Sequence, residues 1–159
     1  MCEHCGCKGV EPIGELMTEH SALGHESHHV RQALGAGDHR EALALLRGMV
    51  DHLTRHVARE EDGIFRALSA SGEFLEEIDA LEGEHRDLES TIAVLDVAAP
   101  DFAATLTRLL DDLDQHIERE DLGIFPVSVV TLGATGWAIV DDAHAESPSF
   151  LYDASAPLS

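Results

Sequence analysis

Apolar residues recur three and four apart over most of the chain, a spacing that lays one inward stripe along each of four helices. Pro12 suits a first helical turn, and Ile13, Leu16, Met17, His20, Leu23, Val30 and Leu34 follow until Gly35-Ala-Gly37 ends a first helix over about 12–34. Asp38 can cap a second, whose stripe reads Leu46, Met49, Val50, Leu53, His56, Val57, Glu60 and Ile64 and ends near Ser71-Gly72. A third runs from about Glu73 through Phe74, Ile78, Leu81, His85, Leu88, Ile92 and Leu95 and stops before Pro100. Asp101 opens a fourth with Phe102, Leu106, Leu109, Leu113, His116, Glu120 and Ile124 on one face, until Pro126 and Gly133 break it. A short fifth helix is expected between Leu132 and His144, with Trp137 as lid or core. The pattern predicts an all-α fold, an antiparallel up-down four-helix bundle at 12–130 between a Cys-rich tail at 1–11 and a C-terminal extension at 131–159.

The bundle is built from a duplicated hairpin. Leu53-Thr-Arg-His56-Val-Ala-Arg-Glu60-Glu-Asp-Gly63-Ile64-Phe65 returns as Leu113-Asp-Gln-His116-Ile-Glu-Arg-Glu120-Asp-Leu-Gly123-Ile124-Phe125. Upstream, Leu16-Met-Thr-Glu19-His20-Ser-Ala-Leu23 matches Leu81-Glu-Gly-Glu84-His85-Arg-Asp-Leu88. Each half thus supplies a lone His and then a His-xxx-Glu pair, and all six residues fall in the apolar stripes. A single inward His is usually a hydrogen-bonded core residue, and one His-xxx-Glu is usually a surface pair. Two buried carboxylates are different, because desolvation costs several kcal/mol unless a cation compensates. None of the stripes contains a Lys or Arg, so a metal is the economical partner.

The bulk composition narrows the partners. At 159 residues the chain has room for one core, and its formal net charge of −21 argues against binding nucleic acid or an anionic membrane. No apolar run approaches the roughly 20 residues of a spanning helix, and no apolar signal segment follows the start Met, so a cytoplasmic location is expected. Cys2, Cys5 and Cys7 crowd the N-terminus around His4, an odd number that cannot staple the fold and reads as a metal-scavenging or oxidisable tail. His25, His28, His29, His39 and His52 have no counterpart in the repeat and read as solvated or supporting residues; His144 is left open.

Residues four apart project from adjacent turns on one face, so His56 with Glu60 and His116 with Glu120 can each offer nitrogen and oxygen to one site. Two such helices and two lone-His helices suggest two metals, each with two imidazoles, bridged by Glu60 and Glu120. Mixed imidazole and carboxylate ligation suits iron, zinc, manganese or copper, and carboxylate bridging favours iron or manganese. With Gly-Ile-Phe after both pairs, the pattern over about 12–130 resembles the hemerythrin-like proteins, the HHE cation-binding domain, and their bacterial members in particular. The resemblance implies a non-haem di-iron centre, oxo- or hydroxo-bridged, with manganese or zinc ranked behind iron. It makes His20, His56, Glu60, His85, His116 and Glu120 the ligands.

Oxygen-carrying members place a second His four past the third-helix His, whereas here that residue is Glu89; they also place an Asp five past the fourth-helix His, where this chain has Asp121 beside Glu120. The repeat selects Glu120. Glu89 is expected to complete one iron, while Gly24, its counterpart after His20, would leave a pocket for a ligand beside the other. The implied function is binding or reduction of O2, peroxide or NO, by a monomer or weak homodimer whose partner is that small ligand. Iron donation to damaged iron-sulfur centres, with a role for the cysteines, is one alternative, and a sensor or metal-binding module without turnover is another. Tyr152, the only tyrosine, is a candidate redox outlet.

Overall fold

A computed structural model describes residues 10–153, and the Cys2, Cys5, Cys7 and His4 segment lies outside the described residues. Helix α1 spans Glu11–Gly35 and α2 spans His39–Glu60. Their link is closed by Gly37 at φ 77, and Asp38 caps α2 by accepting from the Glu41 amide at 3.0 Å. After α2 the chain passes through one π turn, Glu61–Phe65, into α3 at Arg66–Ala70. Helix α4 is Leu75–Ala93 and α5 is Phe102–Arg119, followed by a second π turn, Glu120–Ile124, and α6 at Phe125–Thr131. Helix α7 is Ala134–Glu146, the expected fifth helix. No strand occurs among the described residues, and the architecture is the all-helical bundle that the periodicity predicts.

Two boundaries differ from the sequence reading. Helix α4 ends at Ala93, so Leu95 lies beyond it in the link that leads to Pro100. Pro126 does not break the fourth helix. It sits in the first turn of α6, directly after the π turn, where the ladder has already shifted and a missing N–H costs least. No helix among the described residues is long and apolar enough to cross a membrane.

The core falls into two apolar clusters along the bundle. One gathers Leu23, Leu46, Met49, Leu53, Phe102 and Leu106; the other gathers Ile13, Leu16, Ile64, Phe65, Ile78 and Phe125. In α1, α2, α4 and α5 the stripe His or His-xxx-Glu residues fall between contributors to the two clusters. The polar residues therefore occupy the middle of the bundle, sealed by hydrocarbon at both ends.

Candidate metal centre

The π turns recur within one residue of corresponding places in the repeat, the first directly after Glu60 and the second starting at Glu120. A π turn inserts one residue into an α-helix and re-aims the side chains around it, a device common at functional sites. Here consecutive acids beside each turn do separate work. Glu60 and Glu120 are fully buried and point to the middle of the bundle, while Glu61 and Asp121 turn towards neighbouring helices. The Gly-Ile-Phe that follows also acquires a purpose: Phe65 stacks on His85 (centroids 5.9 Å apart, 11° between planes) and Phe125 on His20 (5.3 Å, 6°).

Six side chains converge. His20, His56, Glu60 and Glu120 form one group of potential ligands, Glu60, His85, His116 and Glu120 a second, and within each group the donor atoms lie within 4.8 Å of one another. Glu60 and Glu120 belong to both. His56 Nε2 is 3.0 Å from Glu60, His116 Nε2 is 3.0 Å from Glu120, and His20 Nε2 is 3.3 Å from Glu60 and 3.0 Å from Glu120. His85 Nε2 lies 3.3 Å from Glu60 and 3.0 Å from His116 Nε2. All six residues are buried.

Each histidine is held from behind by a carboxylate on Nδ1. Glu19 holds His56 at 2.6 Å, Glu84 holds His116 at 2.7 Å, Glu61 holds His85 at 2.7 Å and Asp121 holds His20 at 2.8 Å. A carboxylate only accepts, so each Nδ1 bears the proton and each Nε2 presents its lone pair inward. Four lone pairs and two carboxylates then face one another. Both oxygens of Glu60 and of Glu120, and Nε2 of His20 and His56, have no hydrogen-bond donor although buried. Such an arrangement is costly in a metal-free interior and is what a cation requires, so the residues fit a metal.

Protons substitute in part when no ion is present. Burial works against charging His20, His56, His85 and His116, yet the surrounding carboxylates override it and raise all four, His116 to about 9. Burial likewise opposes ionisation of Glu60, but the imidazoles of His56, His20 and His85 hold it well below the usual carboxylate range.

Sequence reasoning missed the outer ring, although the repeat contained it. Glu19 and Glu84 precede the lone histidines, and Glu61 and Asp121 follow the stripe carboxylates, so all four backing acids are duplicated like the inner residues. It also missed Arg59, which lies just off the stripe and is buried. Its charge is absorbed by Glu15 and by Glu19 at 2.9 Å, not by the centre, so the need for a cation stands.

Two expectations require correction. Glu89 is not brought to the cluster: its side chain is 58% exposed and its nearest charged partner is Arg86 at 3.9 Å. Four residues past an inward His the helix has turned 400°, and on α4 that extra 40° carries the side chain to the surface. Gly24 is exposed for the same reason, and a Cβ placed on it would meet nothing within 4 Å, so it borders open solvent and not a pocket beside the centre. His144, left open by the sequence, is half-buried against Arg59 and Gly63; desolvation and the Arg59 charge push it down to about 4.

The family model of the hemerythrin HHE cation binding domain matches residues 11–128. No curated protein and no solved structure gives a significant match.

Proposed function

The chain belongs to the hemerythrin HHE cation-binding domain family, and from that premise we propose that it is a non-haem di-iron protein that binds or reduces O2, peroxide or NO. The observation that carries this reading is the pair of four-residue donor groups sharing Glu60 and Glu120. His20 and His56 would hold one iron, His85 and His116 the other, and the two carboxylates would lie between them. When bound, the metal pair supplies redox chemistry and open coordination positions, since four protein donors leave an iron ion short of its common six.

The chain's own residues account for the rest. Glu19, Glu61, Glu84 and Asp121 fix the tautomer and orientation of the four imidazoles and raise their basicity, so that Nε2 faces the metal. Leu23, Leu53, Val57, Leu88, Leu113 and Ile117 wall the centre with hydrocarbon and exclude bulk water. The space left at the centre is about 10 Å³, at the lower limit for one water. Metal ions would take up that space, so the enclosure argues against any organic substrate and supports a ligand of only a few atoms. Four imidazoles and only two carboxylates give less anionic charge than the carboxylate-rich ferritin-type sites, which supports reversible small-ligand chemistry over iron storage.

Elemental analysis joined to a visible spectrum of the isolated protein tests the reading. Two irons per chain with charge-transfer absorption in the near ultraviolet are expected. One zinc per chain, with no iron taken up on anaerobic reconstitution, overturns it.

A further inference from the structure

Helix α1 carries three histidines on its solvent face, His25, His28 and His29, and the buried centre uses none of them. His25 and His29 are four apart, so they project from adjacent turns. Their rings stand nearly perpendicular, at 83° with centroids 4.7 Å apart, and their Nε2 atoms face each other at 3.3 Å. Two imidazole nitrogens so placed either share one proton or share a cation.

The distance admits a tetrahedral cation. A tetrahedral ion with bonds of about 2.0–2.1 Å to nitrogen separates two ligand nitrogens by about 3.3–3.4 Å, whereas a right-angled site of the same bond length separates them by about 2.9 Å. The observed span accommodates the tetrahedral bite. Unlike the centre, the pair offers nitrogen without carboxylate, a donor set that suits zinc and its late first-row neighbours over iron. The strongly negative chain raises the local concentration of any divalent cation.

We propose that His25 and His29 form a surface chelate for zinc, distinct from the buried centre and completed by water. The exposed imidazoles are preorganised by the helix: neither needs a change of backbone to close on an ion, and no hydrophobic contact is broken when one binds.

Zinc alone is the probe, titrated into untagged full chain whose centre is already saturated with metal, with a chromophoric zinc chelator as competitor. One zinc per chain beyond the metal of the centre is expected. His25→Gln or His29→Gln should weaken it at least tenfold, and the double variant should abolish it, while the melting temperature and the spectrum of the centre stay as in the parent. The same zinc should bind, whichever metal saturates the centre, iron or another, which separates failure of this site from failure of the di-iron reading. Equal zinc affinity and stoichiometry in the parent and the His25→Gln/His29→Gln variant would overturn the proposal, as would release of the metal of the centre in step with zinc uptake.

Discussion

Arg59 and Arg119 stand one residue before the two shared carboxylates, at the same place in the repeat, yet the side chain of Arg59 is 1% exposed and that of Arg119 is 54% exposed. Both do the same local work. Arg59 Nε donates to Glu19 at 2.9 Å and Arg119 donates to both oxygens of Glu84 at 2.6 Å, so each steadies the acid that backs a histidine. The difference comes from α7, which packs chiefly on the first π turn, α3 and α1. It covers Gly63 with Ala143 and His144, and the Ser147 carbonyl just beyond its end accepts from Arg59 Nη1 at 2.5 Å. The duplicated site is therefore symmetric inside and asymmetric outside.

That asymmetry predicts unequal stability costs. Arg59→Ala leaves Glu19 buried without its cation, and breaking a buried pair in this way costs about 3–5 kcal/mol. Arg119→Ala removes a solvent-screened pair, worth about 0–1 kcal/mol. Urea denaturation of the two variants, each in the metal-free form, checks this. Equal losses would mean that the cover provided by α7 has no energetic weight.

The two shared carboxylates should behave alike. Glu60→Ala and Glu120→Ala each remove a donor common to both groups, so each should lose most of the bound metal and melt earlier than the loaded parent. Glu89→Ala should keep the full complement, because its carboxylate lies at the surface. Metal analysis after gel filtration reads all three, and retention of metal by Glu120→Ala would transfer its role to Asp121.

Particular residues show how far the sequence carried. The three-and-four spacing disclosed the helices, and the duplication disclosed the inner six residues, because a buried acid in an apolar stripe is conspicuous against its neighbours. Glu89 and Gly24 were misplaced because a four-residue step advances 40° around the helix: from His56 and His116 it stays on the buried face, whereas from His85 and His20 it leaves that face. The π turns were invisible: Glu60-Glu61 and Glu120-Asp121 read as one acid in the stripe and one outside it, with no signal that the hydrogen-bond ladder shifts there. Arg59 was missed because its burial depends on α7, a contact between distant segments that no local periodicity encodes.

The metal-free chain should lose stability as the solution becomes alkaline. A His raised in the folded state binds its proton more tightly there than when unfolded. The resulting stability is complete below the ordinary value of 6.5 and is lost as pH rises through the folded value, which for His116 is about 9. His20, His56 and His85 shift in the same direction. Glu60 acts oppositely, its stabilisation being present above the ordinary carboxylate range and lost in acid. Melting temperatures of the metal-free protein should fall between pH 6.5 and 9, whereas the metal-loaded protein should hold, because the ion replaces the protons. A flat profile in the metal-free form would show that the imidazoles are not protonated together with the carboxylates.

On the proposed reading a small ligand must reach this enclosed centre, and the cleft between α2 and α4 is the expected route. It encloses about 150 Å³, is largely apolar, and shares Leu53, Val57, His85 and Leu88 with the cavity at the centre. Its outer residues include Thr54, Glu89 and Ile92, and Thr54 is exposed. An apolar passage favours neutral diatomics over hydrated ions, because an ion sheds its water at a cost that hydrocarbon cannot return. Thr54→Trp should roof the mouth without entering the core. Metal content and spectrum should stay as in the parent, while the rate of NO association, followed by stopped-flow absorbance, falls at least tenfold. Gly24→Leu should leave that rate unchanged, since its side chain would extend into solvent. A second cleft, about 180 Å³ and lined by Glu84, Asp87, Asp112, His116 and Arg119, is the polar alternative. If Thr54→Trp binds NO as fast as the parent while a bulky residue in place of Gln115, on the wall of that second cleft, slows it, the ligand enters past His116 instead.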